Sequence, residues 1–306
     1  KIAVLLSTYN GEKFLAEQLD SLLAQSHTNF ILVVRDDGSK DRTVSIVESY
    51  ASAHSERIRL LPRDCENLGA SAGFAFLVDY VLKNKDPLGL QSAYMMFCDQ
   101  DDTWYPQKIE KLLAAMLATQ AGNDSALPVL VHSDLEVVSE QNTVIAKSLI
   151  NYQGLEIHRN SFPNLIISNL VTGCTALINE SLAEKALPIP ENAIMHDWWL
   201  ALVATAFGKL VYLDAPLVHY RQHGNNTIGA KEFTKVSVVS MSLWRRILPR
   251  KPNEHLIEVA IQAAECNSRY GPQLSGRQRL CLRLCIGMGI NIGIVQRLMY
   301  RLARRF

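Results

Sequence analysis

The sequence predicts an α/β protein built on a mainly parallel central sheet flanked by helices. Three observations carry this. Short apolar runs alternate with stretches of helical spacing through the first hundred residues. The runs are continuously apolar instead of alternating, which implies strands covered on both faces. Each run stops at a polar cluster, the pattern of strand–turn–helix units whose strand ends form a ligand-binding edge.

In chain order, Ile2 to Ser7 (IAVLLS) reads as the first strand and stops at the turn signal Thr8-Tyr9-Asn10-Gly11. Residues 12–25 carry Phe14, Leu15, Leu19, Leu22 and Leu23 at helical spacing. Phe30 to Val34 is the second strand and ends at Asp36-Asp37-Gly38-Ser39. Ser39 or Asp41 then suits the cap of a helix carrying Val44, Ile46, Val47 and Tyr50. Ile58 to Leu61 is a third strand, and Asn67 to Gly73 turns into a helix with Phe74, Leu77, Val78 and Val81 as its stripe. Tyr94 to Cys98 is a fourth strand, stopping at Asp99-Gln100-Asp101-Asp102. Beyond it the repeat weakens. Residues 105–119 read as helix, and Val129 to Val131, Thr175 to Ile178 and Leu210 to Leu213 as strands. From about Phe233 the pattern is helical again, through Trp244, Ile247 and Leu248, then Leu256, Val259 and Ile261.

Composition sets the outer bounds. The 306 residues are 48% hydrophobic and 20% charged, which excludes collagen, low-complexity disorder and a disulfide-stapled miniprotein. The net charge of +1 conceals an acidic body and a basic tail: from Cys266 onward there are eight arginines and no lysine or acidic residue. Nucleic acid is therefore not an expected partner of the whole chain, whereas the tail suits an anionic surface. The six cysteines form no C-x-x-C pair, and Cys98 and Cys174 sit in apolar runs as buried thiols, which fits a reducing, cytoplasmic setting. No apolar stretch reaches the roughly 18–20 residues of a membrane helix. The chain opens at Lys1 directly in a strand-like run, so no signal peptide is expected within it.

Four clusters carry chemistry, each with a plainer alternative. Three carboxylates within Asp99-Gln100-Asp101-Asp102 repel one another unless a cation intervenes, and Mg²⁺ or Mn²⁺ favours such oxygens. The alternative is an Asp-rich turn capping a helix. In Asp36-Asp37, one carboxylate could accept from a nucleobase N–H while the other caps the next helix. His196-Asp197-Trp198-Trp199 joins an ionisable pair to flat apolar rings of the kind that stack on sugars, and an apolar wall raises a carboxylate toward the range of a general base. Its alternative is an ordinary core-helix start capped by Asp197. His219-Tyr220-Arg221-Gln222-His223-Gly224-Asn225-Asn226 could give one metal ligand and one phosphate contact, and it gains weight only beside the aspartates.

Taken together, these residues resemble a family-2 glycosyltransferase with the GT-A fold. The resemblance runs from Ile2 to about Asn226 through "STYNGEKFLAEQLDSLLAQ", "RDDGSKDRT", "ENLGAS", "FCDQDDTW", "GCTALIN", "HDWW" and "YRQHGNN". The last two look most similar to bacterial rhamnosyltransferase-like members that build O-antigen or other surface polysaccharides. The resemblance implies a GT-A domain over residues 1–232, with a nucleotide-binding half to about 104 and an acceptor half from about 105, followed by a helical basic extension over 233–306. It implies that Thr8, Asn10 and Asp36 contact the donor nucleoside, with Asn67 and Gly69 nearby. Asp99 would face the ribose, Asp101 and His223 would hold Mn²⁺ or Mg²⁺, Asp102 would sit close to the sugar or support the metal shell, and Arg221 would help hold the diphosphate. Asp197 would be the catalytic base, with His196, Trp198 and Trp199 toward the acceptor. Two departures stand out: His196 occupies a position that is acidic in many members, and Arg35 one that is commonly apolar.

The implied partners are a nucleoside-diphosphate sugar and a glycan or polyprenyl-diphosphate-linked acceptor. The arginines flanking Ile286 to Val295 suit a helix lying on the inner face of an anionic membrane; a packing or homodimer helix is the alternative. Two other enzyme classes share parts of the pattern. A haloacid-dehalogenase-type phosphatase would use Asp99 as nucleophile and Ser133 as its second motif, but lacks its G-D-x-x-x-D element here. A sugar nucleotidyltransferase would open with a Gly-rich basic loop, absent from Ser7 to Gly11.

Overall fold

The computed structural model describes residues 1–62, 67–121, 126–224 and 252–306. The expected helical stretch around Trp244, Ile247 and Leu248, together with Cys65, Asn225 and Asn226, lies outside the described residues.

The strands are β1 (Ile2–Thr8), β2 (Phe30–Asp36), β3 (Ile58–Leu60), β4 (Tyr94–Cys98), β5 (Thr103–Trp104), β6 (Val129–Ser139), β7 (Val144–Ala146), β8 (Ala176–Ile178) and β9 (Lys209–Gln222). The helices are α1 (Leu15–Leu23), α2 (Thr43–Ala53), α3 (Gly69–Lys83), α4 (Lys108–Ala121), α5 (Leu149–Gln153), α6 (Phe162–Leu165), α7 (Glu180–Ala186), α8 (His196–Phe207), α9 (Glu254–Tyr270), α10 (Gly276–Gly287) and α11 (Gly293–Ala303). They surround one sheet of order β3-β2-β1-β4-β8-β6-β9-β5, with β7 on β6.

The first half matches the expected parallel pattern: β3, β2, β1 and β4 pair in parallel. Their side chains divide with a period of two. Ala3, Leu5, Ile31, Val33, Met95 and Phe97 enter one core with α3 and α8, whereas Ile2, Val4, Leu6, Leu32, Val34 and Met96 enter the other with α1, α2 and α4. Both faces are covered, which is why the runs are continuously apolar.

Beyond β4 the sheet is mixed rather than mainly parallel. β8 is antiparallel to both β4 and β6, while β6 runs parallel to β9. Strands β6 and β9 are far longer than the sequence pattern suggests. His132, Ser133, Asp134 and Glu136 are buried along β6, and such polar interruptions hide a strand from a reading based on apolar runs.

Register brings the functional edge together. Thr8 pairs with Asp36 and Leu6 with Cys98, so three strands end at one level. The Gln100 side chain then ties two of the loops: it accepts from the Tyr9 N–H and donates to the Tyr9 carbonyl, each at 2.9 Å. Gly11 makes room for this, since a Cβ there would lie 2.3 Å from the Gln100 Oε1. Arg35 forms an ion pair with Asp37, both side chains being 3% exposed, and Asp37 also accepts from the Gly69 N–H at 2.7 Å. The unusual basic residue before the aspartate pair is thus the partner that lets Asp37 be buried.

The C-terminal helices pack into the same core as α3 and α8. Val259, Ala263, Cys266 and Tyr270 of α9, Cys281 and Cys285 of α10, and Ala303 of α11 all join it. Cys98, Cys174, Cys266, Cys281 and Cys285 are buried free thiols. No helix among the described residues is long and apolar enough to cross a membrane.

Removing one member of a buried ion pair strands the other charge at a cost of roughly 3–5 kcal/mol. Arg35→Met is therefore expected to lower the unfolding free energy by that amount in urea titration. Unchanged stability would show that the pair contributes nothing.

Candidate active site

A cleft of about 800 Å³ opens at the ends of β1 and β4. Thr8, Tyr9, Asp37, Asn67 and Gly69 line one end, Asp99, Gln100 and Asp101 the middle, and Asn169 to Gly173 and Ile194 to Trp198 the other. Asp197 therefore shares one cavity with Asp99 and Asp101, although nearly a hundred residues separate them.

The aspartates crowd one another. Burial, followed by the charges of Asp101 and Asp197, pushes Asp99 up to about 7. Asp101 Oδ2 accepts from His223 Nε2 at 2.8 Å, and the His223 ring packs on Phe14 with centroids 5.1 Å apart. Asp102 lies behind, fully buried; its Oδ1 accepts from the Arg221 N–H at 3.1 Å, and burial raises it well above the usual carboxylate range.

Two buried basic side chains sit beneath this turn. The Arg221 guanidinium donates to the Asp101 and Glu140 carbonyls at 2.9 Å each and to Glu17 at 2.6 Å, and stacks 4.5 Å from the Phe14 ring. It is not among the cleft residues, so the expected diphosphate contact is corrected: its guanidinium is engaged by the Asp101 and Glu140 carbonyls and the Glu17 carboxylate. Lys108 is buried against the Trp104 ring and the Cys174 carbonyl, and burial pulls it down to about 7.

Asp197 occupies the first turn of α8, where the helix N-terminus favours a negative charge. Its Oδ1 accepts from Asn169 Nδ2 at 3.2 Å. Burial nonetheless pushes it up to about 6, against backbone hydrogen bonds from Trp198 and Gly173 that hold it down. Gly173 approaches so closely that a Cβ would sit 3.0 Å from His196 Nε2 and 3.3 Å from Asp197 Oδ2. His196 stands between Phe74 and Phe97, with ring centroids 4.4 and 4.9 Å away. Burial drives it down to about 3, so it is neutral, and neither ring nitrogen has a hydrogen-bond partner among the described residues.

The remaining expected residues divide. Thr8, Asn67, Gly69, His196 and Trp198 reach the cleft. Asp36 is buried behind it; its carboxylate accepts from the Thr8 hydroxyl at 3.0 Å and the Ser39 N–H at 2.9 Å, so that Asp37 is the member of the pair on the cleft wall. Asn10 bridges loops, its Oδ1 accepting from the Lys40 N–H at 2.9 Å. Trp199 is corrected outright as an acceptor contact: it is fully buried, its indole donates to the Ala186 carbonyl at 3.0 Å, and it packs on Tyr270. Ser133, the second motif of the phosphatase alternative, is buried with its hydroxyl on the Asp134 carbonyl and is not among the cleft residues.

Several cleft residues left no signal in the sequence. Asn169 is an unremarked polar residue in a connection. His255 and Glu258 come from α9, in the stretch read as a separate extension, and meet at 3.3 Å beside Trp198. No helical period announces which turn of a tail helix will fold back over a distant strand edge.

The donor set suits a hard divalent cation. Asp99 and Asp101 line the cleft and His223 meets Asp101 from beside it, which offers two carboxylates and an imidazole; burial and then the neighbouring carboxylates raise Asp99, and a dication would relieve that. Asp99, Asp102 and Cys174 also offer atoms within 4.8 Å of one another. That second group is less suitable, since burial holds the Cys174 thiol well above its ordinary value and thus protonated.

The chain is 28% identical over 286 residues to the dTDP-rhamnosyl transferase RfbG of Shigella flexneri, covering 90% of this chain and 92% of that one. It is 27% identical over 242 residues to the putative teichuronic acid biosynthesis glycosyltransferase TuaG of Bacillus subtilis, covering 72% and 90%. Among solved structures it resembles S. aureus TarS 1–349 in complex with UDP-GlcNAc, with a TM-score of 0.58 at 15% identity over 95% of this chain and 72% of that one. It also resembles the mannosyltransferase PcManGT of Pyrobaculum calidifontis with GDP-Man and Mn²⁺, with a TM-score of 0.53 at 15% identity over 99% and 79%. These likenesses establish the GT-A fold. The family profile described as "Glycosyl transferase family 2" matches residues 3–184, more than half of the chain and both strand-end aspartate clusters, and the chain belongs to that family.

Proposed function

We propose that this glycosyltransferase moves an L-rhamnose-class sugar, with inversion, from a nucleoside-diphosphate donor to a hydroxyl of a glycan or polyprenyl-diphosphate-linked acceptor in bacterial surface-polysaccharide synthesis. The observation that carries the reading is the shared cleft: Asp197, held near 6, opens onto the same cavity as Asp99 and Asp101. The similarity to a dTDP-rhamnosyl transferase supports the sugar class.

The residues divide the work by position. Thr8, Tyr9, Asp37, Asn67 and Gly69 bind the nucleoside at one end. Asp101 and His223 would hold Mn²⁺ or Mg²⁺, with Asp99 beside them, and the ion would offset the charge of the leaving diphosphate. At the opposite end, neutral His196 offers one donor and one acceptor to an incoming alcohol, while Trp198 walls the site. Asp197 takes the proton of the acceptor hydroxyl. The freed oxygen forms its bond to the anomeric carbon as the bond from that carbon to the diphosphate oxygen breaks, and the electron pair leaves with the nucleoside diphosphate. A single displacement of this kind needs one base and no enzyme nucleophile, so the configuration inverts.

A base must be ionised, so kcat/KM is expected to fall about tenfold per pH unit below about 6 and to level off above it. A flat profile from about pH 5 to about 8, which spans the Asp197 midpoint near 6, would exclude Asp197 as the base. Asp197→Asn should lower kcat by roughly 10²–10⁴-fold while calorimetry finds nucleotide binding retained; normal turnover would sink the assignment. In a thermal-shift panel of deoxythymidine, uridine and guanosine diphosphate sugars with Mn²⁺, the deoxythymidine form should stabilise most. Asp101→Ala should lose that shift, and a shift unaffected by both the substitution and chelation would remove the metal from the reading.

A further inference from the structure

The basic tail does not form the single helix through Ile286 to Val295 that its sequence suggests. Helix α10 ends at Gly287, and α11 restarts at Gly293. The intervening turn is pinned from inside by buried Gln296, whose side chain donates to the Met288 carbonyl at 3.0 Å and accepts from the Asn253 N–H at 2.9 Å. The apolar residues on the other side are left in solvent: Ile290 is 48% exposed, Ile292 55%, Ile294 54% and Leu298 53%. Along α11 the spacing continues from Ile294 and Leu298 to Arg301, steps of four and three that keep one face, and Arg305 follows in the turn just past the helix end. Both arginines are exposed, and neither has an ion-pair partner among the described residues. From Cys266 to the end there is no acidic residue at all.

We propose that this turn and the outward face of α11 dock on an anionic lipid bilayer. The isoleucines enter the headgroup–acyl boundary, and Arg301 and Arg305 meet lipid phosphates. Four branched aliphatic side chains half in water within nine residues ask for an apolar covering, and a charge of one sign around them asks for a negative one. A second copy of the chain fits less well, because a two-fold contact through this face would set its unpaired arginines against their own images. The anchor is a rigid hairpin tip rather than a helix that folds on binding, so little ordering entropy opposes it. Gln296 ties this turn to Asn253, the cap of α9, and α9 carries His255 and Glu258 to the cleft, so docking would hold the acceptor end of the enzyme near the lipid surface.

Flotation of the full chain with phosphatidylcholine vesicles, with and without phosphatidylglycerol, tests this without any substrate, so it stands or falls apart from the sugar-transfer reading. The chain should float with the anionic vesicles, float less at high salt, and stay down with phosphatidylcholine alone. Ile292→Asp with Ile294→Asp should abolish flotation, and Arg301→Gln with Arg305→Gln should weaken it about tenfold or more. All four side chains point outward, so the melting temperature should hold; if the aspartates lower it, the paired serine substitutions must show the same loss. Absence of flotation by the unaltered chain, or unchanged flotation by the isoleucine variants, overturns the proposal. So does a dimer in sedimentation that those variants split, which would assign the face to a second copy.

Discussion

Everything at the cleft depends on holding like charges together at the edge of a sheet. Asp99, Asp101 and Asp102 follow one another within four residues, and Asp197 joins them from across the cavity. Left in water these carboxylates would simply separate. Here β4 and β5 fix the two ends of the turn, and the Arg221 guanidinium grips the backbone of Asp101 from behind. Lys108 and Arg221 lie under the turn while the cleft side stays acidic. The buried Arg221 charge and the Lys108 amine therefore brace the framework from behind and leave the open face for a cation and its diphosphate.

The same economy governs the other aspartate pair. Asp36 is absorbed by loop hydrogen bonds and shapes the turn, while Asp37 reaches the wall because Arg35 accompanies it into the interior. Two adjacent carboxylates thus take opposite structural parts, decided by which one has a buried cation beside it. At the far end, His196 and Asp197 are adjacent in the same way but titrate in opposite directions. Burial disfavours charge on both, lowering the imidazole and raising the carboxyl. The result is a neutral imidazole beside a carboxylate near neutrality, inside an aromatic wall built by Phe74 and Phe97.

The C-terminal helices belong to this arrangement more closely than their composition suggests. They bury Cys266, Tyr270 and Cys285 in the core shared with α8, so the helix whose first turn carries Asp197 is supported from behind by the tail. The tail's basic character is confined to its outer surface, and its inner surface is as apolar as any other part of the core.

The amino-acid order by itself determined the strand–turn–helix succession of the first hundred residues, because strands buried on both faces must be continuously apolar. It also determined that the polar clusters sit at strand ends, and the ordered motifs named the family, Asp197 included. Only the tertiary structure decided which members of each cluster face the cavity. Asp37 rather than Asp36, Trp198 rather than Trp199, and Arg221 as a brace rather than a ligand all follow from packing around the turn, which neighbours in sequence do not specify. The polar stretch of β6, the mixed second half of the sheet and the arrival of His255 and Glu258 likewise depend on contacts between residues far apart in the chain. Local periodicity reports how a segment is covered, and long-range packing alone reports what covers it.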